Sequence, residues 1–163
     1  MEKLNILLIT GIVTDEHTPL MNPMIRYMLE STERFKVKIT EEFTGCTAET
    51  LAKYDAVFIN YDGKESIETP FVNWGKTAEE ALYEYVKNGG GCVLLHTAVM
   101  NPTGRVHDDE YVKLVGFDFE LKGAAGDING VRKNPALEYV IHTHRDAHEI
   151  VAVNQESWMT VQE

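Results

Sequence analysis

An α/β domain built on a mostly parallel sheet is what this sequence predicts, and three observations predict it. Short, mostly apolar runs occur at residues 4–10, 55–60 and 92–95, the pattern of buried strands, the first of them covered on both faces. Between them lie segments whose apolar residues return at helical spacing. The resulting order, β-α-β-α-β-α-β, implies right-handed crossovers between parallel strands rather than hairpins.

Each element has its own signal. Leu4-Asn-Ile-Leu-Leu-Ile-Thr10 ends at Gly11, and residues 11–21 read as loop. Asn22-Pro23 then offers an N-cap followed by proline at the first helical position, with Met24, Ile25, Met28 and Leu29 on one face. Phe35-Lys-Val-Lys-Ile-Thr40 alternates, as a strand covered on one face near a sheet edge does. Thr47 opens a short helix to about Lys53, and the strand at 55–60 ends in Tyr61-Asp62-Gly63. After a loop containing Pro70 and Trp74, Thr77 and Glu80 form a capping box for a helix reaching about Asn88. Its apolar face is Ala78, Ala81, Leu82, Tyr85 and Val86. Gly89-Gly-Gly91 supplies a left-handed stop, and a buried strand follows that runs into His96. Asp108 caps a helix over 109–115 that ends at Gly116. Residues 117–135 are glycine-rich and aperiodic, the mark of a long excursion or lid. A last strand is expected over 137–143, and the remainder to Glu163 carries no assignable pattern.

A chain of 163 residues suits one domain, 1–163, with no need of disulfides or a structural metal. Fifteen Lys and Arg against 26 Asp and Glu give a net charge of -11, which argues against a nucleic-acid partner, since phosphate binding needs clustered cations. No stretch approaches a membrane span, and the N-terminal apolar run is too short for a secretion signal. Cys46 and Cys92 make no disulfide framework, so a cytoplasmic setting is expected. A homo-oligomer is left open.

Three strands end in polar groups: Thr10-Gly11, Asn60-Tyr61-Asp62 and His96-Thr97. In a parallel sheet these share one edge, where ligands of open α/β folds bind, although polar residues also cap ordinary strand ends. His96 reads equally as a general base, an electrophile, a metal ligand or a buried histidine satisfied by backbone. In the loop after the first strand, Asp15, Glu16 and His17 form either a divalent-metal site, zinc being the candidate, or a solvated acidic turn. His142 and His144 share a strand face by period two, yet no third ligand stands at a defined spacing, so a polar strand face accounts for them. No dinucleotide fingerprint, P-loop, HExxH or CxxC motif is present, nor the Gly-x-Ser-x-Gly elbow. Cys92 lies inside its strand and is poorly placed as a nucleophile.

Taken in order, Ile6-Leu-Leu-Ile-Thr-Gly11, His17, the run from Leu51 to Asp62, Trp74, the run from Ala81 to Gly91, His96-Thr-Ala98, Glu110-Tyr111, Gly116, and His148 with Trp158 carry a family likeness. The chain resembles the trehalose-utilisation (ThuA-like) family, whose fold is similar to class I glutamine amidotransferase domains. The resemblance implies a flavodoxin-like three-layer α/β/α architecture with its pocket at the strand ends. Amidotransferases carry a nucleophilic cysteine in the turn that here reads Leu95-His-Thr-Ala98, so glutaminase chemistry is disfavoured. The resemblance also implies a small-molecule carbohydrate, a trehalose-type disaccharide or its 3-keto derivative. His96, His17 and His148 would be the inherited catalytic histidines, with Asn60, Tyr61, Asp62, Thr97 and Trp74 against the substrate. Two departures stand out. Relatives typically show His-Ala-Ala where this chain has His96-Thr97-Ala98, and they continue into an acidic Asp-Glu-Leu-Tyr-like segment about where this chain reaches Glu163, as expected of a fragment, a truncated product or a shortened variant. The expected function is isomerase- or hydrolase-type chemistry on a keto-sugar or glycoside, by histidine acid/base or metal-assisted steps. The alternative is a non-catalytic sugar-binding or regulatory domain.

Overall fold

Four strands, β1 (Leu4–Thr10), β2 (Phe35–Thr40), β3 (Ala56–Asn60) and β4 (Gly91–Leu94), pair in parallel in the order β2-β1-β3-β4. The computed structural model describes residues 2–10, 21–61, 74–95, 98, 109–116 and 137–162. Residues Met1–Phe119 form one compact unit, which holds this sheet, and Glu120–Glu163 form a second.

Strand alternation sorts the core of the first unit into two layers. Leu7, Ile9, Val57 and Ile59 point to one face and pack with Leu51 of α2 (Ala48–Leu51) and with Ala78, Ala81 and Leu82 of α3 (Lys76–Lys87). Ile6, Leu8 and Val37 point to the other, against Ile25 and Leu29 of α1 (Met21–Glu30). This is the three-layer arrangement expected. The alternating β2 is an edge strand, as its sequence predicts, with Lys36 and Lys38 outward from the buried Val37. Thr47 caps α2 as anticipated, its hydroxyl accepting from the Thr50 N–H.

Four local expectations are corrected. Asn22 is not the cap of α1 but lies inside it, and its side chain turns inward to the sheet. The apolar face of α1 is accordingly narrower than predicted: Ile25 and Leu29 pack, while Met24 and Met28 are exposed. The Thr77–Glu80 capping box does not form either. The N-cap of α3 is Gly75, at φ 86°, a left-handed conformation that its lack of Cβ permits, and Glu80 pairs with Lys76 at 3.4 Å on the surface. Finally, β4 is less buried than its apolar run suggests: among the described strands it lies at the opposite edge of the sheet, and Val93 is 46% exposed.

α4 (Asp109–Val115) ends at Gly116 as the sequence indicates. The predicted excursion at 117–135 lies outside the described residues. In the second unit β5 (Leu137–His142) and β6 (Ser157–Gln162) pair antiparallel, with Ile141 opposite Trp158, and the four-residue α5 (Glu149–Ala152) joins them. β5 stops at His142, so His144 lies beyond the strand, its carbonyl accepting from the Ala147 N–H. The shared-face argument for His142 and His144 therefore fails.

Candidate functional site

The carboxyl ends of β1, β3 and β4 lie side by side. Thr10 is the register partner of Asn60, Ile59 that of Leu94, and the Leu95 N–H continues the ladder by donating to Ile59 O at 2.9 Å. α1 and α3 each follow a strand and return antiparallel to it, so their first turns stand over the same edge. The buried polar and charged residues among those described are Thr10, Asn22, Asn60 and Glu79. Two end strands and two sit in first helical turns, so all four gather at this edge. Buried polar groups are costly without partners, and a fold that concentrates them at one place has a constraint there beyond packing.

Their geometry is specific on the α1 side. Asn22 Nδ2 donates to Thr10 Oγ1 at 2.8 Å, and Asn22 Oδ1 accepts from Asn60 Nδ2 at 2.8 Å. One amide thus ties the ends of two neighbouring strands to the start of a helix. Glu79 occupies the corresponding place on the other face, on the inward stripe of α3 with Leu82 and Val86. Neither Asn22 nor Glu79 stands out in the sequence as a residue of the site. A signal was available for both: each is a polar residue at a position where the helical stripe (22, 25, 29 and 79, 82, 86) is otherwise apolar.

Asn60 and Tyr61 point to opposite faces, as adjacent strand positions must. The Asn60 side chain is buried against α1, whereas Tyr61 joins the α3-side core. The Tyr61 ring stacks on Trp74 at a centroid distance of 6.0 Å, and Trp74 meets Phe43 edge-on at 4.8 Å. Trp74 and Tyr61 thus brace the edge from inside. His17, Asp62, His96 and Thr97 lie outside the described residues, and His148 belongs to the second unit. There it is the exposed N-cap of α5, its Nδ1 accepting from the Ile150 N–H at 3.2 Å.

Among the described residues no three His, Cys, Asp or Glu side chains are grouped to hold a metal ion. A cleft of about 180 Å³ opens elsewhere, beside β2, and includes Lys38, Thr40, Phe43, Cys46 and Tyr54. Desolvation raises the Cys46 thiol, against the weaker influence of its contact with the Thr47 backbone, so it stays protonated near neutrality. Burial pushes the Cys92 thiol up to about 11. Since the thiolate is the reactive form, iodoacetamide at pH 8 should alkylate Cys92 on the order of 100-fold more slowly than free cysteine. Intact-mass time courses measure this, and alkylation as fast as that of free cysteine would contradict the burial argument.

Sheet order and polar edge together define an open, doubly wound α/β protein, a class whose ligands bind outside the strands' carboxyl ends. Within that class the chain belongs to the ThuA family, trehalose utilisation, whose family profile matches residues 5–163. It is similar in structure to a ThuA-like protein of Parabacteroides merdae, with a TM-score of 0.70 and 20% identity over 97% of this chain and 60% of that one. A ThuA-like protein of Bacteroides uniformis gives a TM-score of 0.67 and 17% identity over 97% of this chain and 58% of that one. At such identity the likeness establishes the fold, and the chain spans about three fifths of the length of either structure. No curated protein matches the chain. No described helix is long and apolar enough to cross a membrane.

Proposed function

We propose that the strand-end edge is a carbohydrate site, and that His96 acts there as acid/base on a keto-sugar or a disaccharide glycoside. The observation that supports this most is the gathering of every described buried polar residue at the edge where the chain enters the His96-Thr97 segment. Family membership supplies the substrate class. A sugar hydroxyl or ketone needs directional hydrogen bonding, and a rigid polar frame behind the site would hold the groups that supply it without reorganisation. Enolisation beside a ketone needs a base and a stabiliser for the enolate, and histidine serves as the base near neutral pH.

In this reading Thr10, Asn22 and Asn60 form the frame, and Tyr61 and Trp74 hold it from the core. Asp62 and Thr97 contact the sugar beside His96. His17 is the second candidate for proton transfer, or for a divalent metal such as zinc. Substrate turnover tests the assignment. His96→Ala should lower kcat/KM on 3-keto-trehalose by roughly 100-fold or more, the scale of a lost general base. Wild-type-like turnover by this variant would sink the role of His96. Trehalose or keto-trehalose bound by calorimetry with no turnover in the wild type would mark a binding domain instead.

A further inference from the structure

Ala98 is fully buried, two residues beyond His96, and its peptide groups are engaged on both sides. Its N–H donates to Leu95 O at 3.0 Å, and Leu95 is itself bonded to β3 through Ile59 O. Its carbonyl accepts from the hydroxyl of Tyr111, a residue of α4 that is 2% exposed. α4 is anchored independently, since Leu114 packs against the α3-side core. Burial raises the Tyr111 phenol well above its ordinary range, so the hydroxyl keeps its proton and remains a donor at any working pH. A tyrosine serving only as packing would need no partner on a main-chain carbonyl in the strand-edge segment.

We propose that Tyr111 is a positioning residue: its hydroxyl, donated to the Ala98 carbonyl, fixes the main chain at Ala98, directly after His96 and Thr97 in sequence. The inference rests on the reading of His96 as the working group. It adds a specific source of that group's placement, located on α4 and outside the strands. Active-site side chains are only as well aimed as the backbone beneath them, and one hydroxyl is the difference between Tyr and Phe at this position.

The test uses Tyr111→Phe, which keeps the ring and removes only the donor. In histidine-labelled full chain, the imidazole carbon–proton NMR signal of His96 is assigned by its loss in His96→Gln. In Tyr111→Phe that signal should shift and broaden while those of His142, His144 and His148 stay in place. A His96 signal superimposable on wild type, whatever the change in melting temperature, would reduce Tyr111 to packing and overturn the proposal. A second measurement on the wild type alone covers the case in which the variant does not fold. The Tyr111 hydroxyl proton should exchange slowly and show a cross-peak to Ala98, and exchange at solvent rate would equally overturn it. Full turnover of 3-keto-trehalose by His96→Gln would remove the catalytic reading while the NMR result still decides the role of Tyr111, so the two failures are separable.

Discussion

Trp74→Ala should destabilise the first unit by about 3–5 kcal/mol, the range for truncating a buried large aromatic. The ring is 3% exposed and fills the space between Phe43, which it meets edge-on at an interplanar angle of 73°, and Tyr61, which it overlaps at 24°. Aromatic contacts of this kind add roughly 0.5–1.5 kcal/mol beyond the area they bury. Collapse into the vacated space is restricted, because Trp74 lies directly before Gly75, whose left-handed backbone starts α3. Against a total stability of about 5–15 kcal/mol the loss is severe. Trp74→Phe should retain most of the stability. Urea titration measures both, and emission offers a check: Trp158 is 38% exposed, so removing buried Trp74 should shift the remaining fluorescence to the red. A midpoint for Trp74→Ala within error of wild type would return Trp74 to the substrate-contacting role that the family likeness implies.

What the sequence made legible follows from what each element has to satisfy. β1 and β3 are sandwiched between helices, so nearly every position must be apolar and the runs announce themselves. α3 shows a full inward face over 12 residues, and its extent was readable even though its cap was not. The cap failed because Thr77 and Glu80 satisfy a local pattern that the chain bypasses by entering the helix earlier, at Gly75. β4 misled for a similar reason: Cys92-Val-Leu-Leu95 is apolar throughout, and composition cannot say whether a further strand covers Val93. In the second unit α5 is one turn long, too short for any helical period to register, and β6 mixes Trp158, Met159 and Thr160 without clean alternation. Of the candidate site, the polar strand ends were visible because an apolar run that stops at Thr10 or Asn60 marks its own boundary. Its supports were not. Asn22 beside Pro23 matches a helix start so well that the inward direction of its side chain is hidden, and only the stripe it shares with Ile25 and Leu29 gives it away.

Asn22→Leu is therefore the more informative variant, and it should cost about 2–4 kcal/mol even though it adds apolar bulk to a buried site. The wild-type amide gives one hydrogen bond to Thr10 and takes one from Asn60, both at 2.8 Å among side chains no more than 3% exposed. Leucine removes both at once. The Asn60 N–H that pointed at Asn22 loses its acceptor in a place water does not reach, and a stranded buried polar group costs about 1–3 kcal/mol. The gain from the added apolar carbon is smaller than that penalty, so the polar term decides the sign. Asn22→Asp separates hydrogen bonding from shape: it can still accept from Asn60 but cannot donate to Thr10 when ionised, and it brings an unpaired charge indoors, so it too should destabilise. Coupling gives the sharpest measurement. In Asn22→Leu/Asn60→Leu both ends of one bond are gone together, and the double variant should cost less than the sum of the single ones by about 1–2 kcal/mol. Strict additivity in urea unfolding would mean that the two amides do not act as a unit. If the coupling is found, the ends of β1 and β3 are pinned to the first turn of α1 by a side chain that contributes nothing to the apolar core, and the strand-end edge owes its rigidity to that pin rather than to the hydrophobic layers on either side.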